Sequence, residues 1–217
     1  MRKKSNQQGL FITFEGIDGC GKTTQAILTY QYLSARGLKI NLLREPGSTK
    51  IAEHIRKILL TPDLNFGSTC ELLLYEAARA ELVQREIAPL LRRGEVVLCD
   101  RFYDSTTAYQ GFGRKLDLRM VRQLHRVAVD SIVPDITFVF DCDIDTSIAR
   151  RKGKPDRLES QSRAFFNRVR RGYLDIARKE RHRVKVIDAL QNADDTFAEV
   201  VKLLKRKLRS YESLHTG

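Results

Sequence analysis

Five apolar runs of strand length punctuate the chain, at residues 10–14, 40–43, 96–99, 136–140 and 184–187. Strands that are apolar at nearly every position fit a parallel sheet buried on both faces. The stretches between them carry helical period instead. Residues 25–33 form one such stripe, closed by Gly37, and residues 72–91 form another, closed by Gly94. In residues 118–129, Leu118, Val121, Leu124 and Val127 recur at three-residue steps, with Ala128 extending the same face. A last stripe carries Phe197, Val200, Val201, Leu204 and Leu208, and Asp194 or Asp195 is its expected cap. This strand and helix alternation predicts one α/β domain over residues 1–217, a five-stranded, mainly parallel sheet with helices on both faces.

Composition adds exclusions. With 42% hydrophobic and 30% charged residues in 217, the chain is neither disordered nor fibrous. No apolar run reaches the roughly 18 residues of a membrane span, and the basic start leads into too short a run for a signal peptide, so a cytoplasmic protein is expected. Cys20, Cys70, Cys99 and Cys142 stand far apart, away from His54, His125, His182 and His215, which argues against a disulfide framework or a zinc site. The net charge is +12, and residues 147–217 hold most of it. Phosphorylated ligands, a nucleic acid or a solvated basic surface would each account for that excess. No aromatic platform interleaves the basic residues, so no nucleic-acid partner is expected. Residues 150–157, Arg-Arg-Lys-Gly-Lys-Pro-Asp-Arg, break helical patterning and read as a mobile basic lid of about residues 150–158.

The first strand runs into Gly16-Ile17-Asp18-Gly19-Cys20-Gly21-Lys22-Thr23, a complete Gly-x-x-x-x-Gly-Lys-Thr loop, with a helical stripe behind it. Converging backbone N–H groups and the helix N-terminus suit phosphate oxygens, Lys22 suits the β and γ phosphates, and the Thr23 hydroxyl suits Mg²⁺. No Asn-Lys-x-Asp follows a later strand, so a guanine-reading switch protein is not expected. The third strand delivers Asp100-Arg101-Phe102 instead. That is a carboxylate able to hold Mg²⁺ through water and a guanidinium able to grip phosphate, at the carboxyl edge where open α/β sheets bind ligands.

In this order, the P-loop through Thr24, Arg44-Glu45-Pro46-Gly47-Ser48-Thr49, Ala77-Ala78-Arg79, Asp100-Arg101-Phe102, the 105–111 segment Ser-Thr-Thr-Ala-Tyr-Gln-Gly, Asp156-Arg157-Leu158-Glu159 and Ile187-Asp188-Ala189 resemble thymidylate kinase over nearly the whole chain. The resemblance implies a P-loop nucleoside monophosphate kinase that uses ATP and Mg²⁺ to phosphorylate dTMP, as a homodimer. Another pyrimidine nucleotide kinase or a deoxynucleoside kinase is the near alternative, and an ATP-dependent nucleic-acid-binding module the distant one. The chemistry agrees: an acceptor phosphate with a second pKa of about 6 is already an anionic nucleophile, so the protein must supply position and positive charge rather than a base.

The resemblance also implies roles. Gly16, Ile17, Asp18, Gly19, Cys20, Gly21, Lys22, Thr23 and Thr24 would hold the ATP phosphates, with Thr23, Asp100 and Asp18 at the metal. Tyr75, where the family usually has Phe, would stack on thymine, while Arg79 four residues on clamps its phosphate together with Arg44 and Arg101. Ser105, Thr106 and Gln110 would read the acceptor, and Tyr109 would fill the space of a 2'-hydroxyl. Ser48 replaces a glycine common in the family, so an altered local backbone is expected. The P-loop lacks an arginine, which moves the transition-state cation to the lid. The candidates there are Arg150, Arg151, Lys152 and Arg157, with Arg150 and Arg157 preferred beside Lys22, Asp18 and Arg101 as catalytic residues. Glu159 would meet the acceptor side on closure. If exposed beside Lys22 and a helix N-terminus, Cys20 would carry a lowered pKa and react with alkylating agents unless ATP covers it.

Overall fold

The computed structural model of the chain describes residues 9–151 and 153–215. Lys152 and the basic start Arg2, Lys3 and Lys4 lie outside the described residues. One parallel sheet of order β2-β3-β1-β4-β5 is built from β1 (Leu10–Glu15), β2 (Ile40–Arg44), β3 (Val96–Asp100), β4 (Ile136–Asp141) and β5 (Val184–Asp188). Each strand starts where its apolar run starts and extends one residue beyond it, because the last residue of each is a charged group at the sheet's carboxyl edge.

Alternate residues of β1 and β3 face opposite ways. Leu10, Ile12, Phe14, Val96 and Leu98 join the larger core, with residues from α1 (Lys22–Ser34), α8 (Arg163–Lys179) and α9 (Ala193–His215). Phe11, Val97 and Cys99 meet Leu82, Ile87, Leu91 and Phe102 on the other face. These last come partly from α3 (Ser68–Leu82), which continues through a π-helical turn at Val83–Ile87 into α4 (Ala88–Arg92). Gly94 follows at φ +74°, where a left-handed residue stops the helix.

Two details depart from the sequence reading. In α6 (Leu118–Val129) Val127 is 80% exposed, while His125 is buried with Val121 and Ala128. Steps of three fall short of the helical repeat of 3.6, so a strict three-residue stripe rotates off the buried face. The cap of α9 is Asn192, whose Oδ1 accepts from the Asp195 amide at 2.9 Å, rather than either aspartate.

The register aligns the functional ends. Phe14 and Arg44 both pair with Asp100, so the loops leaving β1, β2 and β3 emerge side by side at one edge. β1 is flanked by β3 and β4, and the loop leaving it lies at the switch point of the topology. Three further helices complete the surroundings: α2 (Lys50–Leu60), capped by the Thr49 side chain, α5 (Tyr103–Thr106), which runs on as π-helix through Thr107–Gly113, and α7 (Ile144–Arg150). Among the described residues no helix is long and apolar enough to cross a membrane.

Candidate active site

The P-loop is fixed from behind by α7. A Cβ on Gly19, which has φ +82°, would come within 2.2 Å of the Ser147 carbonyl, so only glycine allows this approach. Ser147 in turn donates its hydroxyl to the Asp18 carbonyl. On the opposite side, a Cβ on Gly21 would meet nothing within 4 Å, which leaves the loop's outer surface open. Ile17 and Cys20 are buried, whereas Thr23 and Thr24 are exposed on the first turn of α1. Cys20 is buried, so the exposure on which a reactive Cys20 depended is absent, and burial pushes its thiol up despite the nearby charge of Lys22.

Asp18 is the junction of the site. It accepts from Lys22 at 3.2 Å, from Tyr109 at 2.9 Å and from Arg101. Burial alone would raise its pKa, but the charges of Arg101 and Lys22 outweigh that and hold Asp18 well below the usual carboxylate range. Arg101 has φ +72°, a backbone state costing a non-glycine residue about 1 kcal/mol or more. Its side chain is held by the Gly16 carbonyl at 2.9 Å, Ser105 at 3.0 Å and the face of Tyr109 at 5.1 Å. Behind it Glu15 accepts from the Phe102 amide at 2.7 Å and from Ser105, and burial pushes its carboxyl up to about 8, helped by the charge of Asp104.

Thr23 donates to one oxygen of Asp100, while the other, Oδ1, is buried with no partner among the described residues. A hydroxyl beside a half-satisfied carboxylate is an oxygen-only donor pair, which fits a hard divalent cation whose remaining ligands come from phosphate and water.

A cleft opens from this junction, lined by Asp18, Arg101, Ser105, Thr106, Tyr109, Gln110, Tyr75, Arg79 and Arg56, among others. Thr106, Tyr109 and Gln110 all reach it although the helix loosens to π-helix at Thr107. Arg79 is buried and bridges Glu45 (Nη2 to Oε2, 2.7 Å), Glu76 (2.7 Å) and Thr106 (2.9 Å). Four of the five guanidinium N–H groups are thereby used, and one on Nη1 has no partner among the described residues. The ion pair of Arg79 with Glu76 lies inside the protein rather than at its surface.

Arg44 is placed differently. Its side chain is half exposed, paired with Glu53 at 2.9 Å, and is not among the residues lining the cleft. Ser48 takes φ +67°, the left-handed state a glycine would adopt, and its hydroxyl accepts from the Arg44 amide at 2.9 Å. The cation that lines the cleft from this side is Arg56 of α2, which donates to the Pro46 carbonyl at 2.9 Å and is ion-paired to no carboxylate among the described residues. Sequence reading missed it, and the only available signal was the amphipathic spacing of 50–60.

The lid arginines point to three separate places. Arg150 donates to the Ala189 carbonyl at 2.7 Å. Arg151 lies 4.5 Å over the Phe166 ring and donates to the Glu159 carbonyl at 3.1 Å. Arg157 donates to the Leu59 carbonyl at 2.9 Å and is ion-paired with Glu71 at 2.6 Å, so its partners lie at the end of α2 and beside Gln110 rather than at the P-loop. Glu159 turns back to cap the Asp156 amide at 3.1 Å.

A P-loop at the sheet's switch point, a lid behind α7 and an arginine-lined cleft opening onto the loop define a P-loop nucleoside monophosphate kinase. Residues 14–200 match the family model described as thymidylate kinase. The chain is 40% identical over 217 residues to a thymidylate kinase of Chlorobium phaeobacteroides, covering 95% of this chain and 99% of that one. It is 44% identical over 202 residues to one of Thermosipho africanus, covering 93% and 100%. The crystal structure of thymidylate kinase from Ehrlichia chaffeensis superposes with a TM-score of 0.75 at 39% identity, covering 90% of this chain and 98% of that one. The chain belongs to the thymidylate kinase family, and it is a phosphotransferase.

Proposed function

We propose that this enzyme transfers the γ-phosphoryl group of ATP directly and in line to the monophosphate of dTMP, giving dTDP and ADP in the cytoplasm for dTTP synthesis. The observation that carries this reading is that the P-loop and the acceptor cleft share Asp18, which Lys22 contacts from one side and Arg101 and Tyr109 from the other. A donor phosphate on the loop and an acceptor phosphate in the cleft would then meet beside Asp18.

Lys22 and the loop amides from Gly16 to Thr24 cradle the donor phosphates. Thr23 and Asp100, the latter through water, with Asp18 nearby, would hold Mg²⁺, which when bound neutralises charge between the β and γ phosphates. Arg101, the remaining N–H of Arg79, and Arg56 attract the acceptor phosphate, with Arg44 in reach only after leaving Glu53. Tyr75 stacks on the base, Thr106 and Gln110 read its edge, Ser105 holds Arg101, and Tyr109 walls the sugar. Arg101 and Lys22 are the resident transition-state cations, and Arg150 supplies a further one when it leaves the Ala189 carbonyl.

The domain spans 1–217 with a lid of about 150–158. It pairs as a homodimer over exposed Leu73 and Val127 of the adjacent helices α3 and α6, a mass that light scattering reads directly.

ADP formation should be measured with dTMP, dUMP, dCMP, dGMP, the ribose form of TMP, AMP and thymidine offered separately. A marked preference for dTMP supports the reading. Turnover only with another acceptor overturns the base and sugar assignments, and acceptor-independent ADP release overturns the kinase reading. Direct transfer predicts inversion at an isotopically chiral γ-phosphorus, and retention would indicate a phosphoenzyme.

A further inference from the structure

Glu71 has no place in the chemistry above, yet it is among the most enclosed carboxylates in the molecule, at 1% exposure on the first turn of α3. Three side chains from two other segments converge on it. Gln110 donates at 2.9 Å and Arg114 at 3.1 Å and 2.9 Å, and Arg157 is ion-paired to it at 2.6 Å. Gln110 and Arg114 belong to the segment that lines the acceptor cleft and the turn after it, while Arg157 belongs to the lid. A buried carboxylate that holds two guanidiniums and an amide is fixed in one orientation, and it fixes them. Burial would raise the pKa of Glu71, but the hydrogen bonds from Arg114 and Gln110 outweigh it, so the carboxylate stays charged.

The lid end of this cluster is also built as a socket. The Arg157 guanidinium lies 4.2 Å over the Phe66 ring and donates its Nε to the Leu59 carbonyl, one of the unpaired carbonyls in the last turn of α2. Asp156 and Leu158, the chain neighbours of Arg157, both line the acceptor cleft. Seating Arg157 therefore brings two lid residues into the cleft wall. It also places a second cation on the carboxylate that aims Gln110.

We infer that Glu71 is a positioning residue that makes lid seating and acceptor reading one event, because the same carboxylate receives the lid's Arg157 and the cleft's Gln110. This deepens the kinase reading and rests on it: Glu71 ties the seated lid to the acceptor wall, and an occupied acceptor site favours the seated lid in return. Arg157 acts here as a latch on the acceptor side rather than as a cation at the transferred phosphoryl group.

The test is a double-mutant cycle of Glu71→Gln and Arg157→Lys, read as KM for dTMP, KM for ATP and kcat. Glu71→Gln keeps the shape of the side chain and removes its charge. Arg157→Lys keeps the charge but cannot span Leu59 and Glu71 together. Each single change is expected to raise KM for dTMP by about tenfold or more, with KM for ATP within about twofold and kcat falling less than KM rises. The double variant should be about as impaired as the worse single one, because both break the same contact.

Trypsin cleavage after Arg151 or Lys154 provides a second readout. Saturating dTMP should slow it in the wild type, and much less in either variant. Multiplying single effects, or dTMP protection that survives Glu71→Gln, would overturn the coupling. If Glu71→Gln fails to fold, Arg157→Lys carries the test by lid protection alone, and unchanged protection there overturns it. A wild type that forms no ADP with dTMP would fail the kinase reading itself, a result distinct from either of these.

Discussion

Replacing Tyr109 by Phe removes one oxygen from the junction between P-loop and cleft and leaves the ring in place. The ring packs edge-on against Phe165 and Tyr173, with centroids at 6.1 and 6.4 Å, and carries the Arg101 guanidinium at 5.1 Å. None of this depends on the hydroxyl. What is lost is its donation to Asp18 at 2.9 Å, together with a long contact from Arg101 at 3.4 Å that contributes little. A hydrogen bond to a charged group is worth about 1.5–3 kcal/mol. The Asp18 side chain is 25% exposed, so water replaces part of the bond, and the lower end, about 1.5 kcal/mol, is the working figure. That corresponds to about a tenfold loss. The loss should fall on kcat, because Asp18 also orients Lys22 and Arg101. A coupled ADP assay with dTMP and its ribose counterpart gives the decisive comparison. Tyr109→Phe should lose about tenfold in kcat with its deoxyribose preference intact, and Tyr109→Ala should lose that preference as well. A Phe variant within about twofold of wild type would refute the role given to the hydroxyl, and one that accepts the ribonucleotide would refute the role given to the ring.

The remaining predictions concern other parts of the site. Arg56→Ala should raise KM for dTMP by about tenfold or more with little change in KM for ATP, and steady-state kinetics showing an equal effect on both would remove Arg56 from the acceptor site. Cys70 is exposed whereas Cys20 is buried with a raised pKa, so a thiol reagent should label Cys70 rapidly, and Cys70→Ser should abolish the fast phase. A fast phase traced by peptide mapping to Cys20 would contradict its burial. Glu15, raised from 4.5 to about 8, keeps a proton in the folded chain that the unfolded chain releases. Its contribution to stability is full below about pH 4.5 and is lost as pH rises through 8, with a slope of at most about 1.4 kcal/mol per pH unit. Asp18, shifted the other way, acts only at lower pH. Glu15→Gln should therefore flatten the fall in unfolding free energy between about pH 5 and 8, and an unchanged slope in denaturant titrations would refute the assignment.

The strands and the phosphate loop were legible because their causes are local. The central strands β1, β3 and β4 are buried on both faces and so nearly apolar throughout, and a loop whose backbone approaches α7 needs glycine at Gly19. The strand order was not legible, since β1 lies between β3 and β4, and no nearest-neighbour pattern in the chain encodes that. α2 escaped notice for another reason. Its two buried apolar positions, Ala52 and Leu59, are matched by two exposed ones, Ile51 and Ile58, so apolar letters alone do not mark the buried face, and Arg56 went unseen with it.

Charge was the least legible property, and the reason is physical. A solvated cation and a buried one are the same letter, and what separates them is a partner that is distant in sequence. Arg183 belongs to the basic last third, yet it is 2% exposed and forms two hydrogen bonds to Asp104, at 2.7 and 2.9 Å, with a third to Thr137. Arg170 pairs with Asp141 at 2.6 Å and Arg157 with Glu71. Removing one member of a buried pair such as Arg183–Asp104 costs about 3–5 kcal/mol, so Arg183 is fixed by the fold before any ligand arrives. The basic residues thus fall into three groups. One neutralises carboxylates and adds nothing to the net charge, a second, with Lys202, Lys205, Arg206 and Arg209, is exposed on α9, and a third, Arg56 and Arg101 with the free edge of Arg79, lines the cleft beside Lys22.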